Sequence, residues 1–222
     1  MDYVDVLSKD TRIPLLFSYR RCPYAMRARM ALIDSGIDFN VYEISFKNKP
    51  HEIIEISPKG TVPVLRLANK VIDESLDIMM WAYANGNSSH YSDLDKDVID
   101  TGLELIRKND HEFKLHLDQY KYFTNYPSSS KDALGGACLF FIETLEGMLN
   151  LNKYLLSDKI SFADIAIFPF IRQFAGVDMN FFTSLKFHRV QEWLSDLTSS
   201  ELFMNAMIKP RQRNASAQTE VP

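Results

Sequence analysis

Three residues, "ANK" at 68–70, do most to limit what the first part of this chain can fold into. They separate two apolar runs, "VPVLRL" (62–67) and "VID" (71–73), and a turn that short can join only antiparallel neighbours. The two earlier runs are joined differently. "PLLFSY" (14–19) is short, apolar and aromatic, as a buried strand should be. "DFNVYEISF" (38–46) alternates Phe39 and Val41 with polar neighbours. Between them Met26, Met30 and Ile33 recur at helical spacing from Pro23 onward, and "SG" at 35–36 is a stop signal, with Gly36 suited to a left-handed C′ position. A strand, helix, strand unit of this kind is a right-handed parallel crossover. "KNKPHEIIEISPKG" adds a short helical or irregular crossing and "ESLDIMMWAYA" a further helix. Residues 1–84 are therefore expected to form an α/β domain with a four-stranded mixed sheet and helices on its faces.

The polar, turn-rich "NGNSSHYSDLDK" (85–96) reads as a linker. Beyond it no strand pattern is evident, and residues 97–207 are predicted to form an all-α bundle. Leu94, Val98, Leu105, Phe113, Leu117 and Tyr120 approach helical spacing, and Leu134, Cys138, Phe141, Leu145 and Met148 mark one apolar helix face. In "SFADIAIFPFIRQFAG", Ser161 and Asp164 are placed as a capping box, with Asp in place of the usual Glu or Gln. Residues 208–222 lack periodicity and are expected to be a flexible tail.

Partner classes follow from charge and hydropathy. The formal net charge of −4, from 25 basic and 29 acidic residues, implies no general attraction to nucleic acid or anionic membrane. The apolar run "IAIFPFI" (165–171) is far shorter than the roughly 20 residues of a membrane span, and the acidic start "MDYVD" is unlike a signal peptide. A cytoplasmic location is expected. Two cysteines cannot form a disulfide framework, and a reducing compartment leaves thiols available for chemistry.

One of those cysteines stands at a telling junction. In "FSYRRCPYAMRARMAL" (17–32), Cys22 falls between the first strand and the first helix, with Pro23 as the first helical residue, where its missing N–H costs nothing. A helix N-terminus stabilises a thiolate, the nucleophilic form of a thiol, and Arg20, Arg21, Arg27 and Arg29 add positive charge nearby. The competing readings are a small buried hydrophobe at Cys22 and a solvated basic face for the arginines. Cys138, on a continuous apolar face, reads as core. Ala25 occupies the place where a CxxC pair would have its second cysteine, so a reactive Cys22 would form a mixed disulfide and need an external thiol, glutathione being the expected one.

Two further stretches fit a thiol peptide. In "GTVPVL" (60–65), Pro63 at the start of a strand points to an edge or a special turn, and a cis Val62–Pro63 bond would present the Val62 backbone to a bound peptide. In "DESLDI" (73–78), a helix start offers N–H groups and the Ser75 hydroxyl to a carboxylate, and Glu74 could hold an ammonium; an ordinary helix cap is the plainer reading.

Together these motifs resemble the glutathione transferase superfamily, in particular its cysteine-containing Omega class. "CPYAMRARMAL" resembles that class's active-site helix start, "GTVPVL" its cis-proline loop, and "ES" at 74–75 its γ-glutamyl-binding pair. "FKNKPHEI" (46–53) is similar to the segment that carries a glutathione-contacting lysine, here Lys49. The resemblance implies a thioredoxin-like N-terminal domain, an all-α C-terminal domain and roles that can be named: Cys22 as catalytic thiol, with Lys49, Val62, Pro63, Glu74 and Ser75 binding glutathione. It further implies a thiol transferase acting on a small disulfide or electrophilic substrate, as a homodimer and without a metal. Conjugation of electrophiles, or a binding protein on the same fold with no enzyme activity, are the alternatives.

Overall fold

A computed structural model describes residues 12–45 and 51–209. It contains two compact units: the described residues up to Asn87 together with those from Asn205 onward, and Ser88–Met204.

The first unit follows the expected order. Strand β1 (Leu15–Ser18) leads through a short loop into helix α1 (Pro23–Asp34) and strand β2 (Asn40–Glu43). Helix α2 (His51–Ile56), strands β3 (Val64–Arg66) and β4 (Val71–Ile72) and helix α3 (Ser75–Asn85) follow. The sheet order is β2-β1-β3-β4. β1 runs parallel to β2 with Leu16 opposite Val41, and β3 runs antiparallel to both β1 and β4, Leu65 facing Leu16 on one side and Ile72 on the other. The "ANK" turn closes with the Leu67 N–H donating to the Lys70 carbonyl at 2.9 Å. As an inner strand β1 is buried along its whole length, and its Leu15 and Phe17 join Ile44, Ile53, Val62 and Val64 in one core cluster.

Local chemistry sets the end of α1. Gly36 has φ +67°, a conformation that costs a residue with a Cβ but not glycine. Its N–H donates to Ile33 and that of Ile37 to Leu32, both at 3.0 Å, which satisfies two carbonyls of the last turn. The ends of α1 and α3 lie so close that a Cβ on Gly86 would meet the Ser35 carbonyl at 2.2 Å.

The second unit has no strand among its described residues. It comprises α4 (Ser89–Ser92), α5 (Lys96–Lys108), a π-helical turn (Asn109–Phe113), α6 (Lys114–Lys121), a 3₁₀ turn (Phe123–Asn125), α7 (Lys131–Ala137), α8 (Leu139–Leu149), α9 (Phe162–Ala175), α10 (Met179–Ser184), α11 (His188–Ser199) and the start of α12 (Glu201–Ala206), whose residues from Asn205 onward belong to the first unit. The stretch read from sequence as a linker thus carries the short helix α4. The single apolar face expected over 134–148 is broken at Cys138, where α7 and α8 meet at a 42° bend. Gly135 and Gly136 precede the break and weaken the helix there, and the Cys138 N–H turns to the Gly135 carbonyl, three residues back.

Helix α9 forms the centre of this unit. Twelve of its residues are buried, Pro169 among them, and the capping box is formed as the sequence suggested: the Ser161 N–H and hydroxyl both donate to Asp164 Oδ2, at 2.9 and 2.6 Å. Phe113, Tyr120 and Phe174 pack together, with ring centroids 6.1 and 5.5 Å from Phe174, so these aromatics belong to the core. Among the described residues no single helix is long and apolar enough to cross a membrane.

Candidate functional site

The strongest constraint on the site is the way β1 hands over to α1. Cys22 occupies the N-cap of α1 with extended backbone angles (φ −77°, ψ 125°), and Pro23 begins the helix. The Cys22 carbonyl accepts from Met26 at 2.9 Å, the first helical bond, and its own N–H is held by the Tyr19 carbonyl at 2.9 Å. The side chain makes no capping bond. It is half-buried and turns instead toward the loop before β3, where the thiol donates to the Val62 carbonyl, with Sγ 3.7 Å from the oxygen.

That loop contains the cis Val62–Pro63 bond. β3 lies between β1 and β4, so of the two placements open for Pro63, an edge strand or a special turn, the structure has the turn. Val62 is packed into the core cluster by its side chain while its carbonyl faces Cys22, bringing together two residues 40 positions apart.

Glu74 and Ser75 stand at the start of α3, Glu74 as N-cap and Ser75 as the first helical residue. Ser75 is 5% exposed, and its Oγ accepts from Arg27 Nη1 at 3.3 Å. Arg27 comes from α1, five residues after Cys22, and is fully buried. Glu74 is exposed and forms an ion pair with Lys59, which also approaches Asp73 Oδ2 at 3.7 Å; Asp73 in turn accepts from Ser57 Oγ at 3.0 Å. The hydrogen bond to Glu74, helped by the charges of Glu74 and Asp73, holds the Lys59 ammonium above the ordinary lysine range. Lys49 lies outside the described residues.

Sequence reasoning placed Arg27 and Arg29 near Cys22 without foreseeing their burial, and it missed Lys59 altogether. Arg27 and Arg29 look like part of a basic surface, yet both are buried, Arg29 at 2% exposure. Lys59 meets Glu74 from 15 residues away, with β3 and β4 between them in sequence, and no periodicity announces such a pair. Arg21, by contrast, is exposed and donates to the Tyr19 hydroxyl. The other cysteine is chemically different: Cys138 is fully buried, and burial pushes its thiol up to about 12.

The site therefore consists of a half-buried thiol beside a backbone carbonyl, and a helix N-terminus flanked by a carboxylate, a hydroxyl and a buried guanidinium. Comparison with known proteins gives that arrangement a family. Residues 16–90 match the model of the glutathione S-transferase N-terminal domain, and residues 112–201 that of its C-terminal domain. Glutathione S-transferase F9 of Arabidopsis thaliana is 25% identical over 200 residues, spanning 82% of this chain and 91% of its own. Glutathione S-transferase omega-1 of Mus musculus is 46% identical over 50 residues, 22% of this chain and 21% of that protein. The fold of a Pseudomonas putida glutathione transferase, solved with one glutathione disulfide bound per subunit, agrees with a TM-score of 0.79 at 18% identity, covering 92% of this chain and 95% of that one. The chain belongs to the glutathione S-transferase family.

Proposed function

We propose that this protein is a glutathione-dependent thiol transferase of the cysteine-containing, Omega-like type, working through a Cys22–glutathione mixed disulfide. The observation that carries the reading is the position of Cys22: a half-buried thiol at a helix N-cap, facing the backbone carbonyl of the residue before a cis proline. The short, closer likeness to the omega-1 protein supports the subclass.

In this reading glutathione lies along the first unit, its γ-glutamyl end at Glu74 and Ser75, its backbone along Val62 and Pro63, and its glycyl carboxylate at Lys49. The ligand's ammonium would take the place of Lys59 on Glu74. Its carboxylate would meet Ser75 and the N–H groups of α3, with the Arg27 charge beneath. The Cys22 thiolate attacks the glutathione sulfur of a glutathionylated substrate; an S–S bond forms to Cys22, and the substrate leaves as a thiolate that takes a proton from water. A second glutathione thiolate then attacks the mixed disulfide, releasing glutathione disulfide and regenerating the Cys22 thiolate. One free glutathione is consumed for each glutathionylated substrate, and the glutathione disulfide released joins that thiol to the glutathionyl group taken from the substrate. Ala25, fully buried where a second cysteine would stand, is consistent with resolution by an external thiol.

Incubation with glutathione disulfide, followed by intact mass measurement of the wild type and Cys22→Ser, tests the reading. A single glutathione adduct on the wild type, absent from the variant together with disulfide reductase activity, is expected. Aryl halide conjugation without any adduct would favour the conjugating alternative. Neither adduct nor glutathione binding would leave a binding protein on this fold.

A further inference from the structure

Arg29 lies on α1, 2% exposed, and a guanidinium at that depth must be well satisfied by hydrogen bonds. Its partners come from three places in the first unit. Nη1 donates to Ser18 Oγ at 2.5 Å, at the end of β1. Nη2 donates at 2.8 Å to the carbonyl of Arg20, in the loop leading to Cys22. Nε donates at 2.8 Å to the carbonyl of Ala206, the last residue of α12, and Met207 Sδ lies 3.8 Å from Nη2. Carbonyls in the last turn of a helix lack intrahelical donors, and Arg29 supplies one of them.

The loop is consequently gripped on both sides. While Arg29 holds the Arg20 carbonyl, the Arg20 N–H donates to Glu43 Oε1 at 2.6 Å. Two residues later the Cys22 N–H is tied back to Tyr19. Charge links the same groups. Burial lowers the Arg29 guanidinium to about 10 with Arg20 acting in the same direction, while Glu43 and Cys22 oppose them, so Arg29 remains a cation at neutral pH. An attraction of this kind is mutual: what the thiolate does for the guanidinium, the guanidinium does for the thiolate.

We propose that Arg29 is a positioning residue for Cys22 and that the Ala206–Met207 segment completes the seat of its guanidinium, so that thiol reactivity depends on chain 177 residues away from Arg29. The catalytic meaning rests on the thiol transferase reading; the effect on the thiol does not.

Alkylation of Cys22 by iodoacetamide across the acidic to alkaline range, localised by peptide mass, reads the thiol without glutathione. The full chain, Arg29→Gln, Arg29→Lys and a chain ended after Asn205 are compared, each checked for folding by circular dichroism. Arg29→Gln should raise the pH of half-maximal alkylation by about one unit, slowing the reaction about tenfold at acidic pH. Arg29→Lys should recover part of that loss, and the shortened chain should shift in the same direction as Arg29→Gln. A folded Arg29→Gln protein with the wild-type profile overturns the role of Arg29. An unchanged profile in the shortened chain overturns that of the C-terminal segment. Should Arg29→Gln fail to fold, Arg29→Lys decides in its place, since loss of the fork without loss of charge should still slow alkylation and a wild-type profile would overturn the role. A shifted profile in a protein that forms no glutathione adduct would refute the transferase reading alone.

Discussion

Replacing Asp164 should be among the most damaging single changes in the helical unit. Its carboxylate is fully buried and accepts four hydrogen bonds: from Leu155 N–H at 3.0 Å and Trp193 Nε1 at 2.8 Å on Oδ1, and from the Ser161 N–H and hydroxyl on Oδ2. Burial pushes its acid strength down, while these bonds pull the other way. In Asp164→Ala the Ser161 hydroxyl can turn away, but three N–H donors stay buried without an acceptor, each costing about 1–3 kcal/mol. Removing a poorly solvated carboxylate returns part of that, leaving a net loss of about 3–5 kcal/mol. For a chain of this size that corresponds to a fall of roughly 6–20 °C in Tm. Asp164→Asn keeps an acceptor for Leu155 and Trp193 and orphans only the Ser161 N–H, a loss of about 1–3 kcal/mol. The chain has two tryptophans, so urea unfolding in a Trp81→Phe background reports on Trp193 directly. A cost below about 1 kcal/mol for Asp164→Ala, or equal costs for the two variants, would refute this account.

Three other outcomes follow from the site and the core. Lys59→Met removes the cation that occupies Glu74, and should lower KM for glutathione by no more than about fivefold with kcat unchanged, because exposed ion pairs are weak. Glu74→Gln should raise KM by about tenfold; steady-state kinetics showing no change there would remove Glu74 from the ligand site. The native Cys138 thiol ionises near 12 against an ordinary value of 9.0, so it keeps a proton that the unfolded chain releases. Its contribution to stability is complete below about pH 9 and is lost as pH rises towards 12, at up to about 1.4 kcal/mol per unit. Urea midpoints measured through that alkaline range should fall less steeply in Cys138→Ala, and identical slopes would contradict the assignment.

Features legible in the sequence share a short reach. Pro23 after Cys22, the left-handed Gly36, the "ANK" turn and the Ser161/Asp164 box each depend on residues within a few positions of one another. The strand and helix order of the first unit follows from such signals, and crossover handedness then leaves little freedom in the sheet. The break at Cys138 was hidden because its apolar residues keep helical spacing across it, and spacing reports which face is apolar rather than whether the axis bends.

The sequence by itself determined the mixed sheet, the all-α second unit and the placement of a single cysteine at a helix start, because hydrophobic period, turn length and capping residues act locally. Tertiary structure decided what faces that cysteine. Val62 reaches it from 40 residues away, and Arg27 and Arg29 are drawn inside to meet Ser75 and the Ala206 carbonyl across 48 and 177 residues. A charged side chain reads as surface in any local window, and only the fold can provide the acceptors that allow a guanidinium to be buried.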